Sequence, residues 1–358
     1  MTTSHEYGKT EKPRRMTSPS KVGQYRGDRS RSGMRAILPR GINASNVRAM
    51  NSLSNGHVTD AASDLAPGRL VRIAAAAQRL VAPNASLMTG PGTNSYVLGD
   101  PPVAVLDPGP DDAAHLARLL RAVPRPRFIF VTHTHRDHSC GAHALAQATG
   151  APIVGLPPPD DGRQDLSCVP GIHPAHDAVF DLSADAERSG GAARVERDIQ
   201  ASNVTRLRAI HTPGHASNHV CFLLEDERLL FSGDHVLDGV TPVILPPDGD
   251  MAAYLESLER LRLYRPKAIA PGHGRVLSDP SRVIDGVIAH RARREAKVLK
   301  VLGTLGRARL DELLPKVYDD VRPELLPIAR LSLEAHLIKL VREGRSGRDG
   351  DAWLAGPG

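Results

Sequence analysis

The chain has 358 residues, enough for one large domain with a small second one. An apolar share of 41% supplies a sizeable core, and with aromatics at only 3% that core must be built from Ala, Val, Leu and Ile. The net charge of +6 belongs to the first fifty residues, which carry eleven Lys/Arg against three Asp/Glu; the rest sums to −2, so overall basicity does not mark the body as a nucleic-acid binder.

Cys140, Cys168 and Cys221 form no CxxC pair, which fits a reducing compartment. No apolar run approaches the roughly 18 residues of a membrane span. No charged-then-apolar leader opens the chain, and a cytoplasmic protein is expected.

Residues 1–66 are poor in apolar side chains and should form a disordered basic tail. A start at Met34 or Met50, a solvated tail, and an RNA-attracting arm or transit peptide are the competing readings of it. From Val71 onward short apolar runs end in Gly, Pro or Asp. Tyr96–Leu98 and Val103–Leu106 read as strands, Asp112–Ala122 as a helix, Phe128–Thr132 as a buried strand and Ser139–Thr149 as a helix. Ile153–Gly155, Leu207–Ile210, Val220–Leu224 and Leu229–Ser232 are further strands. Met251–Arg262 is a helix, and Ala268–Ala270 a last short strand. Residues 157–203, rich in Pro, Asp, Gly and Ala, read as a loop or insertion. Alternating strands and helices predict an α/β layer fold for a catalytic domain over 67–281.

The decisive segment is His133-Thr134-His135-Arg136-Asp137-His138, between a buried strand and a helix. Three imidazoles and a carboxylate in six residues do not serve core packing. Alternate residues of an extended segment point the same way, so His133 and His135 can reach one ion. Asp137 and His138 lie past the bend and can reach a neighbouring one. Imidazole nitrogen and carboxylate oxygen are zinc-type ligands. Partners follow downstream: His211-Thr212-Pro213-Gly214-His215, Ser232-Gly233-Asp234-His235 and Pro271-Gly272-His273-Gly274. Each comes just after an apolar strand, where sheet ends gather loops into a crevice.

HxHxDH, HTPGH, GD and PGHG in this order resemble the metallo-β-lactamase superfamily over residues 70–280. The resemblance implies an αββα sandwich with two Zn2+ ions at one edge, iron or manganese being alternatives. By matched position it implies one metal on His133, His135 and His215, and a second on Asp137, His138 and His273. Asp234 bridges them. His211 is expected to support the ligands, as is Asp107 at its strand end. His219 and His235 stay outside the ligand set, and Cys140 reads as a small buried thiol. Two metals about 3.5–4 Å apart bring a bridging water to hydroxide near neutral pH. Asp137 is the candidate catalytic residue, orienting that nucleophile and shuttling a proton.

Where the zinc β-lactamases typically place Cys, this chain has Asp234, which argues against β-lactam hydrolysis. Only 38 residues separate Asp234 from His273, too few for the cap domain of the mRNA-processing branch. Residues 282–358 read as a separate unit. Helix Val283–Gly303 would bury Ile284, Ile288, Ala292, Leu299 and Leu302, with Arg293, Lys297 and Lys300 opposite. Helices Arg309–Val317 and Ile328–Glu343, the latter with Leu333, Leu337 and Leu340 inward, precede a hairpin. Three helices and a β-ribbon resemble a winged helix. The whole layout is similar to the lactamase-β-like group, whose animal members are endoribonucleases on single-stranded RNA. Three functions are therefore expected in competition. Single-stranded RNA cleavage, slightly favoured by this layout, predicts a basic groove from the metals to the C-terminal unit. Hydrolysis of a small thioester, ester or lactone, as in glyoxalase II-like enzymes, predicts a small pocket. A nucleic-acid-binding regulator with structural metals is the third. The oligomeric state is left open, a homodimer among the options.

Overall fold

A computed structural model describes residues 64–183 and 205–356. All but the last three residues of the expected tail lie outside the described residues, as do residues 184–203 of the expected insertion. In the first half, β1 (Leu70–Ala74), β2 (Ala77–Val81), β3 (Asn94–Leu98), β4 (Ala104–Leu106), β5 (Phe128–Phe130) and β6 (Ile153–Val154) form one sheet in chain order. Helices α1 (Ala113–Ala122) and α2 (Arg136–Thr149) connect β4, β5 and β6, which run parallel. The second half gives β7 (Val179–Asp181), β8 (Arg206–His211), β9 (Val220–Leu224), β10 (Leu229–Gly233), α3 (Met251–Leu263) and β11 (Ala268–Pro271). Its sheet has the order β11-β10-β9-β8-β7, and only β10 and β11 are parallel.

Alternation along the strands builds the layers. Tyr96, Leu98, Leu106 and Phe130 point inward and meet Leu207, Phe222, Leu224 and Phe231 of the other sheet. Their neighbours Val97, Val105 and Ile129 point outward onto Leu116 and Leu119 of α1 and Leu145 of α2. On the far side, Cys221, Leu223 and Leu230 pack against Tyr254, Leu258 and Leu261 of α3. The result is the expected helix–sheet–sheet–helix sandwich.

After the second sheet come α4 (Pro280–Leu305), β12 (Arg307–Arg309), α5 (Leu310–Val317), a 3-10 turn (Pro323–Leu325), α6 (Leu326–Arg342), β13 (Ser346–Asp349) and β14 (Ala352–Ala355). The expected hairpin is β13–β14, and β12 adds a third strand on the other edge of β14. Helix α4 differs from its sequence reading. Ala292 is exposed, while Arg291, Arg294 and Glu295 are buried. One helix serves two cores: Ile284 and Val287 pack with α3, and Val298 and Leu302 pack with Leu313, Leu333, Leu337 and Trp353. The buried stripe runs unbroken from one core to the other at a spacing of three and four residues, and the charges that fall within it find partners. Arg294 pairs with Asp320 at 2.8 Å, and Glu295 accepts from Lys339 at 2.8 Å and Arg345 at 2.6 Å. Among the described residues no helix is long and apolar enough to cross a membrane.

Candidate metal centre

Four strand ends converge at one edge of the sandwich. β5 delivers His133 and His135, β8 leads to His215, β10 ends one residue before Asp234, and β11 ends two residues before His273. Helix α2 begins at Arg136, three residues earlier than its apolar pattern suggests, with His135 as an extended N-cap residue. Asp137 and His138 therefore ride on its first turn, where the helix N-terminus favours a carboxylate.

His135 Nδ1 lies 2.9 Å from His133 Nε2 and 3.0 Å from His215 Nε2. His273 Nε2 lies 3.2 Å from Asp137 Oδ2, and His138 Nε2 lies 3.5 Å from the same oxygen. Asp234 stands between these clusters. Its Oδ1 is 3.3 Å from both His138 Nε2 and His273 Nε2, and its Oδ2 is 3.7 Å from His215 Nε2. Three overlapping sets have donor atoms close enough for one ion: His133, His135 and His215; Asp137, His138 and His273; and His133, His138 and Asp234. Gly272 permits the closeness. A Cβ there would stand 2.5 Å from Asp234 Oδ1 and 2.7 Å from His138 Cε1.

The outer nitrogens are fixed from behind, which leaves the inner ones free. His215 Nδ1 donates to the Val243 carbonyl at 2.8 Å, and His138 Nδ1 donates to Asp107 Oδ2 at 3.0 Å. Asp107, at φ 48 in the left-handed region, also accepts from the Thr132 amide at 2.7 Å and hydroxyl at 2.8 Å. It thus sits where an orienting residue should.

The donors divide in their proton preference. Burial, together with neighbouring imidazoles, holds His133 well below the ordinary histidine range and His135 at about 4. For His273 burial opposes the charged form, but Asp234 and Asp137 raise it to about 9. Burial likewise opposes the charge on Asp137, and His138 and His273 lower it to about 2. His138 Nε2 and Asp234 Oδ1 are buried and make no hydrogen bond. Such groups cost about 1–3 kcal/mol each when left unmatched. Imidazole nitrogens and carboxylate oxygens aimed at common points fit a metal site.

His211 does not support the ligands as expected. It turns away to the Pro174 carbonyl, 2.8 Å from Nε2, and to His176. The turn at Pro213 and Gly214 separates the two, so the strand-end His211 meets the loop before β7 while His215 reaches the donors. His219 and His235 are fully buried behind the donors, with His219 stacked on His133 at 5.0 Å. Cys140 is half-buried beside Asp111, Arg136 and Asp165, not fully enclosed. Sequence reading passes over Thr132 and the Val243 carbonyl, because a single hydroxyl or a backbone acceptor has no signature of its own.

Residues 88–273 match the family model of the metallo-beta-lactamase superfamily. The chain belongs to that superfamily. Residues 310–353 match the beta-lactamase associated winged helix domain. A Beta-lactamase-like protein 2 homolog of Drosophila melanogaster is 31% identical over 284 residues, 77% of this chain and 91% of the relative. An atrochrysone carboxyl ACP thioesterase of Emericella nidulans is 27% identical over 71% of this chain and 74% of its own length. Among solved structures, a metallo-beta-lactamase family protein from Thermus thermophilus superposes with TM-score 0.60 at 21% identity, over 79% of this chain and all of that one. A beta-lactamase domain protein from Burkholderia ambifaria gives 0.64 at 17% identity, over 81% and 95%. This superfamily member is hydrolase-like, with a His/Asp metal centre and a C-terminal winged helix.

Proposed function

We propose that this chain is a dinuclear, zinc-type hydrolase of small carbonyl substrates, thioesters foremost. The packing of α6 carries the substrate class. In a winged helix this element would enter a nucleic-acid groove. Here Ala335 buries α6 in the apolar cluster shared with α3. Its basic residues face acids: Arg330 meets Asp311, Lys339 meets Glu295 and Glu343, and Arg342 meets Asp250. Where α6 meets the loop Pro246–Met251, a cavity of about 300 Å³ is lined by Asp250 and Glu334 as well as Lys339 and Arg342. With its cations already paired, this face of α6 offers a polyanion little to bind, which favours a small substrate. The thioesterase named among the relatives supports the same class.

His133, His135 and His215 would hold one ion and Asp137, His138 and His273 the other, with Asp234 shared. A pair of divalent ions, when bound, supplies Lewis acidity that polarises a carbonyl and acidifies water. The chain's own groups do the rest. Asp137 is 29% exposed against 13% for Asp234, so it is the donor carboxylate with solvent access. That places it to orient an attacking water, whose acidity the bound ions would raise, and to pass its proton on. The water oxygen bonds to the carbonyl carbon, the carbon–sulfur bond breaks, and the departing sulfur receives that proton. Asp107 and the Val243 carbonyl hold His138 and His215 in one tautomer throughout.

One observation favours single-stranded RNA as a second reading. Arg282, Arg293 and Lys300 stand exposed along α4, without an acidic partner among the described residues. The test is one experiment with two substrates. Zinc-loaded protein is given an acyl-thioester panel and, separately, end-labelled single-stranded RNA, beside an Asp234→Ala control. Thioester turnover lost in the control supports the first reading. RNA cleavage without thioester turnover replaces it with the second.

A further inference from the structure

The donors Asp137 and His273 are approached by three consecutive residues, Gly92 and Thr93 just before β3 and Asn94 at its start. The Gly92 carbonyl accepts from His273 Nδ1 at 3.2 Å. The Thr93 hydroxyl donates to Asp137 Oδ2 at 3.5 Å, and it is itself oriented by accepting from Asn84 Nδ2 at 2.9 Å. The Asn94 side-chain amide donates to the Pro271 carbonyl at 2.8 Å and the Gly274 carbonyl at 3.0 Å, and its backbone amide donates to the Gly272 carbonyl at 2.7 Å. Two further side chains grip the same loop. Tyr96 donates its hydroxyl to the Pro271 carbonyl at 2.6 Å, and the buried Arg79 donates to the Gly274 carbonyl at 3.3 Å.

We propose that Gly92-Thr93-Asn94 is the positioning segment of the second donor group, setting the His273 tautomer, the Asp137 carboxylate and the loop that carries His273. The inference rests on the two-ion reading above. Its physical basis is that groups behind a ligand fix the ligand's orientation and basicity. His273 sits on a loop of Pro and Gly that has no regular structure after β11. Left to itself, such a loop would sample many conformations. The hydrogen bonds from β2 and β3 hold its carbonyls on both sides of His273. The first group has no such support from this segment. His133 and His135 are held by the end of β5, and His215 by the Val243 carbonyl. The segment therefore acts on one group and not on the other.

Its residue types follow from the task. Gly92 has φ +136, and a Cβ there would meet the Ala82 carbonyl at 2.1 Å. No side chain fits, yet the carbonyl must reach His273. Thr93 and Asn94 are fully buried, where polar side chains persist when hydrogen-bonded.

The test is metal binding, read without activity. Thr93→Val removes the hydroxyl at nearly constant shape, and Asn94→Ala removes the clamp on the loop. Both are titrated with zinc after dialysis against chelator, and the bound metal is counted. The parent should bind two equivalents. Each variant should bind the first at parental affinity and the second roughly 10–100-fold more weakly. Tyr96→Phe, which deletes one hydroxyl from the same loop, should shift the second in the same direction by less. Parental affinity for both equivalents in Thr93→Val and Asn94→Ala would overturn the proposal, as would equal weakening of both equivalents in Thr93→Val. A parent that binds a single equivalent overturns the two-ion reading instead, so the two failures are distinct.

Discussion

The metal edge and the seam between α4 and α6 both bury charge, and they treat it in opposite ways. At the seam the protein matches its own charges. Glu295 accepts from Lys339 and Arg345, and Arg294 meets Asp320. At the metal edge His138 Nε2 and Asp234 Oδ1 are buried without a hydrogen bond. Buried ionic groups are tolerated when paired and costly when not. The comparison therefore separates a region whose carboxylates meet lysine and arginine of the protein itself from one whose carboxylates meet imidazoles instead, donors that a cation can share.

The sharpest way to break that comparison is at Asp234. Asp234→Ala should lose at least one metal equivalent, with turnover falling by more than the roughly 10–100-fold typical of a residue behind the ligands. Two full equivalents by elemental analysis would refute the shared-donor role. Removing metal from the parent comes next. An ion at 100 times its dissociation constant adds about 2.7 kcal/mol, so chelation should lower the melting temperature by roughly 5–10 °C. The seam should survive, leaving a cooperative transition in scanning calorimetry. A transition that vanishes on chelation would mean the seam, too, depends on the metals.

The seam has its own probe in Glu295. Burial opposes its charge, but His336, Lys339 and Arg345 overcome that and hold the carboxyl at about 2. A depressed carboxyl stabilises the fold at pH above its ordinary value of 4.5, and that contribution is lost as pH falls toward about 2. Glu295→Gln should cost about 1.5–3 kcal/mol in urea unfolding at neutral pH. It should also flatten the loss of stability between pH 4.5 and about 2, without altering metal content. An unchanged acid profile would show that the seam charges are not matched as described. The smallest effect belongs to Arg342, an exposed partner of Asp250. Arg342→Ala should change stability by about 1 kcal/mol or less, and a larger loss would make the rim of the seam as important as its interior.

Much of this contrast is legible in the sequence on one side only. The donors announce themselves because His133, His135, Asp137 and His138 crowd into six residues, and the rest follow strand ends. Apolar runs of alternating direction likewise point to the sandwich. The seam is hidden, because their charge assigns Arg294 and Glu295 of α4 to solvent unless the second core and its partners are known, even though Glu295 shares the spacing of the apolar face. His211 misleads for a related reason, since the chain turns between it and His215 and sequence spacing does not say which way. The early start of α2 is invisible because its first turn carries ligands in place of apolar residues. Gly92-Thr93-Asn94 carries only a turn-like signal, although a Gly-Pro-Gly punctuation next to a buried Thr and Asn marks where a backbone must approach something closely.

Helix α4 bears on how this protein can be cut and inherited. Its first half completes the packing on α3, and its second half is a wall of the C-terminal core. A shortened chain that stops where the catalytic sequence motifs end would leave Tyr254, Leu258 and Leu261 facing water on one side, an adhesive surface rather than a finished one. The hydrolase fold is thus not a portable cassette in this chain. Recombination, truncation for crystallisation and fusion to other modules all meet the same constraint: the break must fall outside α4, and the small C-terminal unit travels with the chemistry.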